Sequence, residues 1–386
     1  MKKVIYLFII FYFSSCVNSG TEKNLYYGKK ENKCEIHRVL KKDIPIGDSI
    51  SVLTNYIQYV KEDDLLLFYN QYDNSIYAFN YEQGTLNKSI QLRKEGNNGV
   101  GEIQGFSYVN RDSIFVYNYE MFTLFLVNSS ATVLWKKRLP MDEISEKGFL
   151  PAYPWLQTNC PMVYWNNKLI LGGFGATESE KESSSNLPVT TIYEFQKDTV
   201  LLANNYPSQY QQYNWGGAFF RMPYFDVNKD NGTILVSFPQ DHNLYVYSLY
   251  EFIQKKYYAG CNQIKQINAY DQKKGEIIDQ ERAYKWYLNT PSYRNIHYDP
   301  YRKLYYRLAC LPANETLKKK YTIGIRPIIL IVMDEYLRYL GECVLPDNIE
   351  LRYTNSFVTK DGLNIQVLTD NEDLMTFYQF EVNIHE

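Results

Sequence analysis

This chain lacks a surplus of charge of either sign. Its 41 basic and 43 acidic residues leave a formal net charge of −2. No stretch concentrates Lys and Arg, which excludes the basic surface that a nucleic-acid partner requires. Histidine is scarce. The four, His37, His242, His297 and His385, stand far apart, with no metal-ligand spacing among them or with cysteine. Walker A, HExxH and GxSxG are missing, and Gly99-Val100-Gly101 lacks the third glycine of a dinucleotide loop. No cofactor is implied. Long helical periodicity is nearly absent, and beyond the N-terminus no run reaches the ~18 apolar residues of a membrane-spanning helix. Asp226-Val227-Asn228-Lys229-Asp230-Asn231-Gly232 has the look of a calcium loop. Its Gly falls one place late and Ser237 stands where the bidentate Glu belongs, so the stretch reads as a hairpin turn.

What is present begins at the N-terminus. Lys2 and Lys3 precede an unbroken apolar run, Val4 to Phe13, and then Ser14, Ser15 and Cys16. That order of charge, short apolar core and small residues marks an export signal. Ending on a cysteine, it resembles the bacterial lipobox, although Phe13 stands where Leu is usual. The resemblance implies a signal peptide over residues 1–15 and a lipid on Cys16, with a polar tether over 16–33 and one folded domain over 34–386. Val17 follows the cysteine, so no acidic retention signal is in place. An outer-membrane lipoprotein facing the periplasm or the cell surface is expected. Cys34, Cys160, Cys261, Cys310 and Cys343 are scattered and odd in number, and are expected to be mostly buried free thiols.

The 38 tyrosines suit half-buried strands. Six times a short apolar strand meets a polar turn and a second apolar strand leaves it. The turns lie at 61–64, 110–113, 165–168, 226–233, 299–303 and 359–364. Each hairpin is followed by another apolar strand, such as Ile76 to Phe79 or Ile328 to Val332, and usually by a fourth. The expected fold is all-β: a six-bladed β-propeller of four-stranded antiparallel blades. The sixth unit runs out of chain after its third strand, and Glu35 to Leu40 supply the missing one, closing the ring. A pair of β-sandwiches is the rival. The stretch Glu95-Gly96-Asn97-Asn98-Gly99-Val100-Gly101-Glu102, running on to Asp112-Ser113-Ile114-Phe115-Val116, resembles a blade junction of NHL-type and TolB-like propellers. Tyr298-Asp299-Pro300-Tyr301-Arg302-Lys303-Leu304-Tyr305 is similar to a stretch in six-bladed propeller lipoproteins of Bacteroidetes. The resemblance implies fold and export, and no activity.

The long connections, 140–161, 172–190, 203–222, 260–294 and 310–327, all fall between blades or between second and third strands, which crowds them on one face. Long loops on a rigid scaffold are the usual place for binding. Residues 276–288 are expected to form a short helix there, with Ile277, Ile278, Tyr284 and Tyr287 as its apolar stripe. Arg221, Arg294, Arg307 and Arg326 are expected near the channel mouth on this face, where guanidinium groups bind carboxylate or sulfate bidentately. Trp155, Trp215 and Trp286 sit in the same insertions as stacking platforms, and His242 and His297 approach the channel. Salt bridges and loop anchoring are the competing roles for these residues. The expected function is a lipid-anchored recognition module for a glycan, an anionic small molecule or an envelope protein. A channel-site hydrolase or lyase, or a structural subunit of an envelope complex, is the alternative. Convergence of both histidines with arginines in one pocket would favour the enzyme.

Overall fold

The computed structural model describes residues 21–141, 153–175, 188–273, 276–313, 326–346 and 350–385. The signal segment and Cys16 lie outside the described residues, as do parts of four insertions. The chain opens with a short strand, β1 (Thr21–Lys23), and a long one, β2 (Cys34–Pro45). Blade 1 follows as β3 (Ile57–Val60), β4 (Leu65–Asn70), β5 (Ser75–Asn80) and β6 (Thr85–Gln91). Blade 2 is β7 (Gly105–Asn110), β8 (Ser113–Asn118), β9 (Thr123–Val127) and β10 (Val133–Arg138). Before blade 3, β11 (Tyr153–Pro154) adds to its second strand. The blade itself is β12 (Met162–Trp165), β13 (Lys168–Phe174), β14 (Pro188–Glu194) and β15 (Thr199–Asn205). Blade 4 is β16 (Tyr224–Asn228), β17 (Thr233–Ser237), β18 (Asn243–Ser248) and β19 (Gln254–Tyr258), and then β20 (Gln266–Asn268) crosses to pair with β1. Blade 5 is β21 (Ser292–Asp299), β22 (Leu304–Cys310), β23 (Ile328–Met333) and β24 (Tyr339–Val344), and blade 6 supplies β25 (Leu351–Thr359), β26 (Gly362–Val367) and β27 (Leu374–Ile384).

The ring closes as the strand count requires. β2 runs antiparallel to β27 from Cys34 opposite Ile384 to Pro45 opposite Leu374, and makes the fourth strand of blade 6. A six-bladed propeller results, with every blade antiparallel. Uniting the first and last strands in one sheet leaves no blade open at a seam, which would otherwise be a template for aggregation. All six expected hairpins are present.

Burial explains why these runs read as they do. Second strands are sandwiched between neighbouring blades, so β4, β22 and β26 are buried at every position. They appear in sequence as continuous apolar runs. Outer strands are half-solvated: β6 is exposed except at Ile90, and β10 alternates. The five cysteines from Cys34 onward are buried and free.

Two expectations need correction. Residues 21–33, read as tether, are docked on the propeller. β1 pairs with β20, Asn24 is buried, and its Nδ2 donates to the carbonyls of Cys261 (2.8 Å) and Ile264 (2.9 Å). The polar composition of this stretch satisfies loop carbonyls instead of staying solvated. The insertion helix is Gln280–Asn289, capped by the Asp279 carboxylate, which accepts the Arg282 N–H at 3.1 Å. Ile277 therefore lies outside it and is 95% exposed, while Tyr284 and Tyr287 pack on Phe219.

Candidate functional site

First strands run toward the face of the short hairpin turns, so a residue just before each turn lies at the channel mouth. Four of the six equivalent positions hold tyrosine: Tyr59, Tyr108, Tyr164 and Tyr298, opposite Leu66, Ile114, Leu169 and Tyr305 on the second strands. Val227 and Val358 complete the set. With Trp165 and Tyr301 from the turns, they line a cavity of about 550 Å³ that opens on the turn face.

Below the rings, polar side chains close the channel. The Asn159 amide donates to Asn295 Oδ1 (3.1 Å), joining blades 3 and 5, and the Thr158 hydroxyl donates to Asn355 Oδ1 (2.9 Å), joining blades 3 and 6. These blades are not neighbours, so the bonds cross the axis. Asn295 Nδ2 donates to Ser356 Oγ (2.7 Å), and His297 Nε2 lies 2.8 Å from the same hydroxyl. Register shifts in β21 and β25, between Tyr293 and Ile296 and between Arg352 and Ser356, fall where Asn295 and Asn355 turn inward. The cavity is a cup whose floor is lined by the Thr158 and Ser356 hydroxyls and His297, with the paired asparagines buried beneath it.

Its charge is acidic. Glu62, Asp63, Asp226 and Asp230 face only Lys61 and Lys229 among the lining residues. Asp226 accepts the N–H groups of Val227 (2.8 Å) and Tyr298 (2.9 Å), yet burial outweighs these bonds and pushes its carboxyl up to about 6. Burial holds His297 neutral, its ring down to about 4. In the supposed calcium loop, Asn228 Oδ1 accepts the Asp230 N–H at 3.0 Å, a turn-forming bond.

The insertion face is built differently. Arg307 is fully buried. Its Nε donates to Ser237 Oγ (3.0 Å), Nη1 to the Ala259 carbonyl (3.0 Å) and Nη2 to the Asp241 carbonyl (2.8 Å), with the Tyr293 ring 3.9 Å from the guanidinium. Arg326 gathers the carbonyls of Leu311, Tyr287, Thr290 and Cys310. Arg221 Nε donates to the Gly175 carbonyl (2.6 Å) beside Tyr206. Arg294 donates to the Tyr224 hydroxyl among the rings of Tyr224, Tyr287 and Tyr353, and its Nε and Nη2 are buried without a hydrogen-bond partner among the described residues. None of the four lines the cup.

The tryptophans tie insertions together. Trp215 is buried against Phe220 and donates to the Gln209 carbonyl (3.1 Å), and Trp286 packs on Phe220 and Tyr270. Trp155 meets Tyr119 and Phe174 edge-on and borders a smaller hollow of about 130 Å³. His242 bonds Tyr293 Oη (2.6 Å), and its Nε2 lies 3.3 Å from the Glu22 carbonyl, away from the cup. The two histidines and the arginines therefore do not converge. Among the described residues no group of His, Cys, Asp and Glu has a metal-binding arrangement, and no helix is long and apolar enough to cross a membrane.

Fold and cup together define a six-bladed propeller with a ligand-sized, tyrosine-lined opening. The chain belongs to the family described as Domain of unknown function (DUF4221), which it matches over residues 39–343. A crystal structure of a member of that family from Bacteroides vulgatus superposes with a TM-score of 0.75 at 19% identity, covering 92% of this chain and 100% of the other. An exported protein, so described by its name, from Bacteroides fragilis superposes with a TM-score of 0.51 at 11% identity, covering 90% of this chain and 98% of the other. No curated protein matches the sequence.

Proposed function

We propose that the protein is an exported, lipid-anchored binding module that holds a neutral or amine-bearing saccharide in the turn-face cup. The observation that carries this reading is the set of tyrosines lining one cavity over a floor of the Thr158 and Ser356 hydroxyls and His297. Aromatic faces stack on sugar C–H surfaces, and hydroxyl and imidazole groups exchange hydrogen bonds with sugar hydroxyls. Four carboxylates against two ammonium groups disfavour an anion, which moves the site from the arginine-bearing face to the opposite one. Export and anchoring draw on the signal pattern ending in Cys16. The name of the Bacteroides fragilis structure agrees with export.

A thermal-shift screen of the signal-free chain carrying Cys16→Ser tests the reading, using neutral, amine-bearing and sulfated oligosaccharides. A ligand at ~100 times its Kd adds about 2.7 kcal/mol of stability. The expected result is a shift with a neutral or amine-bearing sugar that Tyr301→Ala abolishes. Loss of the shift in Asp226→Asn would identify the amine. A response confined to sulfated sugars would overturn the assignment.

A further inference from the structure

We propose that the insertion-bearing face lies against a phospholipid surface, with Leu25, Tyr26 and Tyr27 in contact with it, so that the cup opens away from the membrane. This rests on the lipid anchor at Cys16 proposed above. Thr21 is five residues beyond Cys16, a reach of at most about 18 Å of extended chain. Its position is fixed on the insertion face. β1 pairs with β20 inside the 260–294 insertion, and the Glu22 carbonyl lies beside His242 in the connection between the second and third strands of blade 4. The Glu22 carboxylate accepts the Gln209 amide at 3.1 Å, from the 203–222 insertion. The chain therefore leaves the propeller at that face.

The segment that follows is shaped for an interface. Leu25 is 74% exposed, and Tyr26 and Tyr27 are 44% exposed each. They sit beside Lys23, Lys29 and Lys30, and the Lys30 ammonium lies 4.6 Å from the Tyr26 ring centroid. Exposed apolar side chains scattered singly are ordinary. Three in succession, held rigidly by the buried Asn24 within reach of the anchor, form one patch. Aromatic and aliphatic side chains flanked by lysine are the composition of a membrane–water boundary. Ile277, almost wholly exposed, belongs to the same face.

The test uses the lipidated full chain in liposomes of phosphatidylethanolamine and phosphatidylglycerol carrying a headgroup nitroxide quencher. A fluorophore is attached at Ile277→Cys or, separately, at Tyr301→Cys on the cup rim. The five cysteines from Cys34 onward are buried and leave the new thiol as the reactive one. Quenching at residue 277 should exceed that at residue 301 several-fold, and Leu25→Ser with Tyr27→Ser should lower it. Equal quenching, or more at residue 301, overturns the orientation. Flotation of the wild type against Cys16→Ala tests the anchor separately. A Cys16→Ala chain that floats as well as the wild type overturns the anchor and leaves the labels to report orientation. A wild type that fails to float overturns both.

Discussion

Arg307 divides the two readings of the insertion face most sharply. If it waits for an anionic ligand, its loss abolishes binding and leaves stability alone. The structure gives it a different role. Its guanidinium ties the carbonyls of Ala259 and Asp241 and the Ser237 hydroxyl in a site closed to solvent. Arg307→Met keeps much of the side-chain volume and removes every donor. Each buried carbonyl left unpaired costs about 1–3 kcal/mol. The packing of the Met chain returns part of that, so a net loss of about 4 kcal/mol is expected, within the range for breaking a buried charge network. Unfolding entropy near 2.1 cal/mol/K per residue gives roughly 0.75 kcal/mol/K for a chain of this length, so the melting temperature should fall by roughly 5 °C. Differential scanning calorimetry of the signal-free chain measures this directly. Arg307→Lys, which keeps the charge but not the planar fork, should recover only part of the loss. A variant melting within a degree of wild type would refute the structural role, and with it the transfer of the site to the other face.

Acid should weaken the fold. Burial holds His242 and His297 down to about 4 against 6.5. The unfolded chain thus binds more protons between those values, and stability, full above about 6.5, is lost as pH falls toward 4, by about 3 kcal/mol per histidine. Asp226, held up to about 6, acts in reverse over the same window. Urea titrations from pH 7 to 4.5 should therefore show a shallower decline for His297→Gln and a steeper one for Asp226→Asn; identical profiles would contradict the burial argument. Gly341→Ala should destabilise the ring seam by about 2 kcal/mol, because the new Cβ would lie 2.8 Å from the Cys34 backbone nitrogen and 2.2 Å from Asn32 Oδ1. Limited proteolysis should then release the N-terminal segment earlier than in wild type, and an unchanged pattern would count against the docked arrangement of residues 32–34.

The propeller was legible because its signal is radial. Second and third strands are buried on both faces and leave uninterrupted apolar runs such as Leu65 to Phe68 and Ile328 to Val332, while the turns between them must be polar. Even the closing strand follows from counting, since a sixth unit three strands long must borrow a fourth. The site is less legible, because loop length on this scaffold does not mark it. Here the insertions are consumed by their own packing: Arg326 spends its donors on four carbonyls, and Trp215 and Trp286 wedge the helix Gln280–Asn289 against Phe220. A long loop on a propeller face buries main-chain carbonyls that no strand satisfies, and a buried arginine with no carboxylate beside it satisfies several at once.

A signal for the cup was nevertheless present. Tyr59, Tyr108, Tyr164 and Tyr298 stand at the same place in their hairpins, just before the turn, and β-propensity alone gives no reason for one aromatic type to recur at the one register position that faces the axis. Rings there also pack between blades, Tyr59 stacking on Phe357 and Tyr164 on Phe115. Tyr59, Tyr108, Tyr164 and Tyr298 nonetheless all border the same cavity. Their recurrence at one register position is the trace of the cavity that the sequence carries. The two blades that break the series, with Val227 and Val358, flank the blade of Tyr298, and there Asp226 accepts the Tyr298 N–H while His297 lies against the Ser356 hydroxyl, both in the lining of the same cavity.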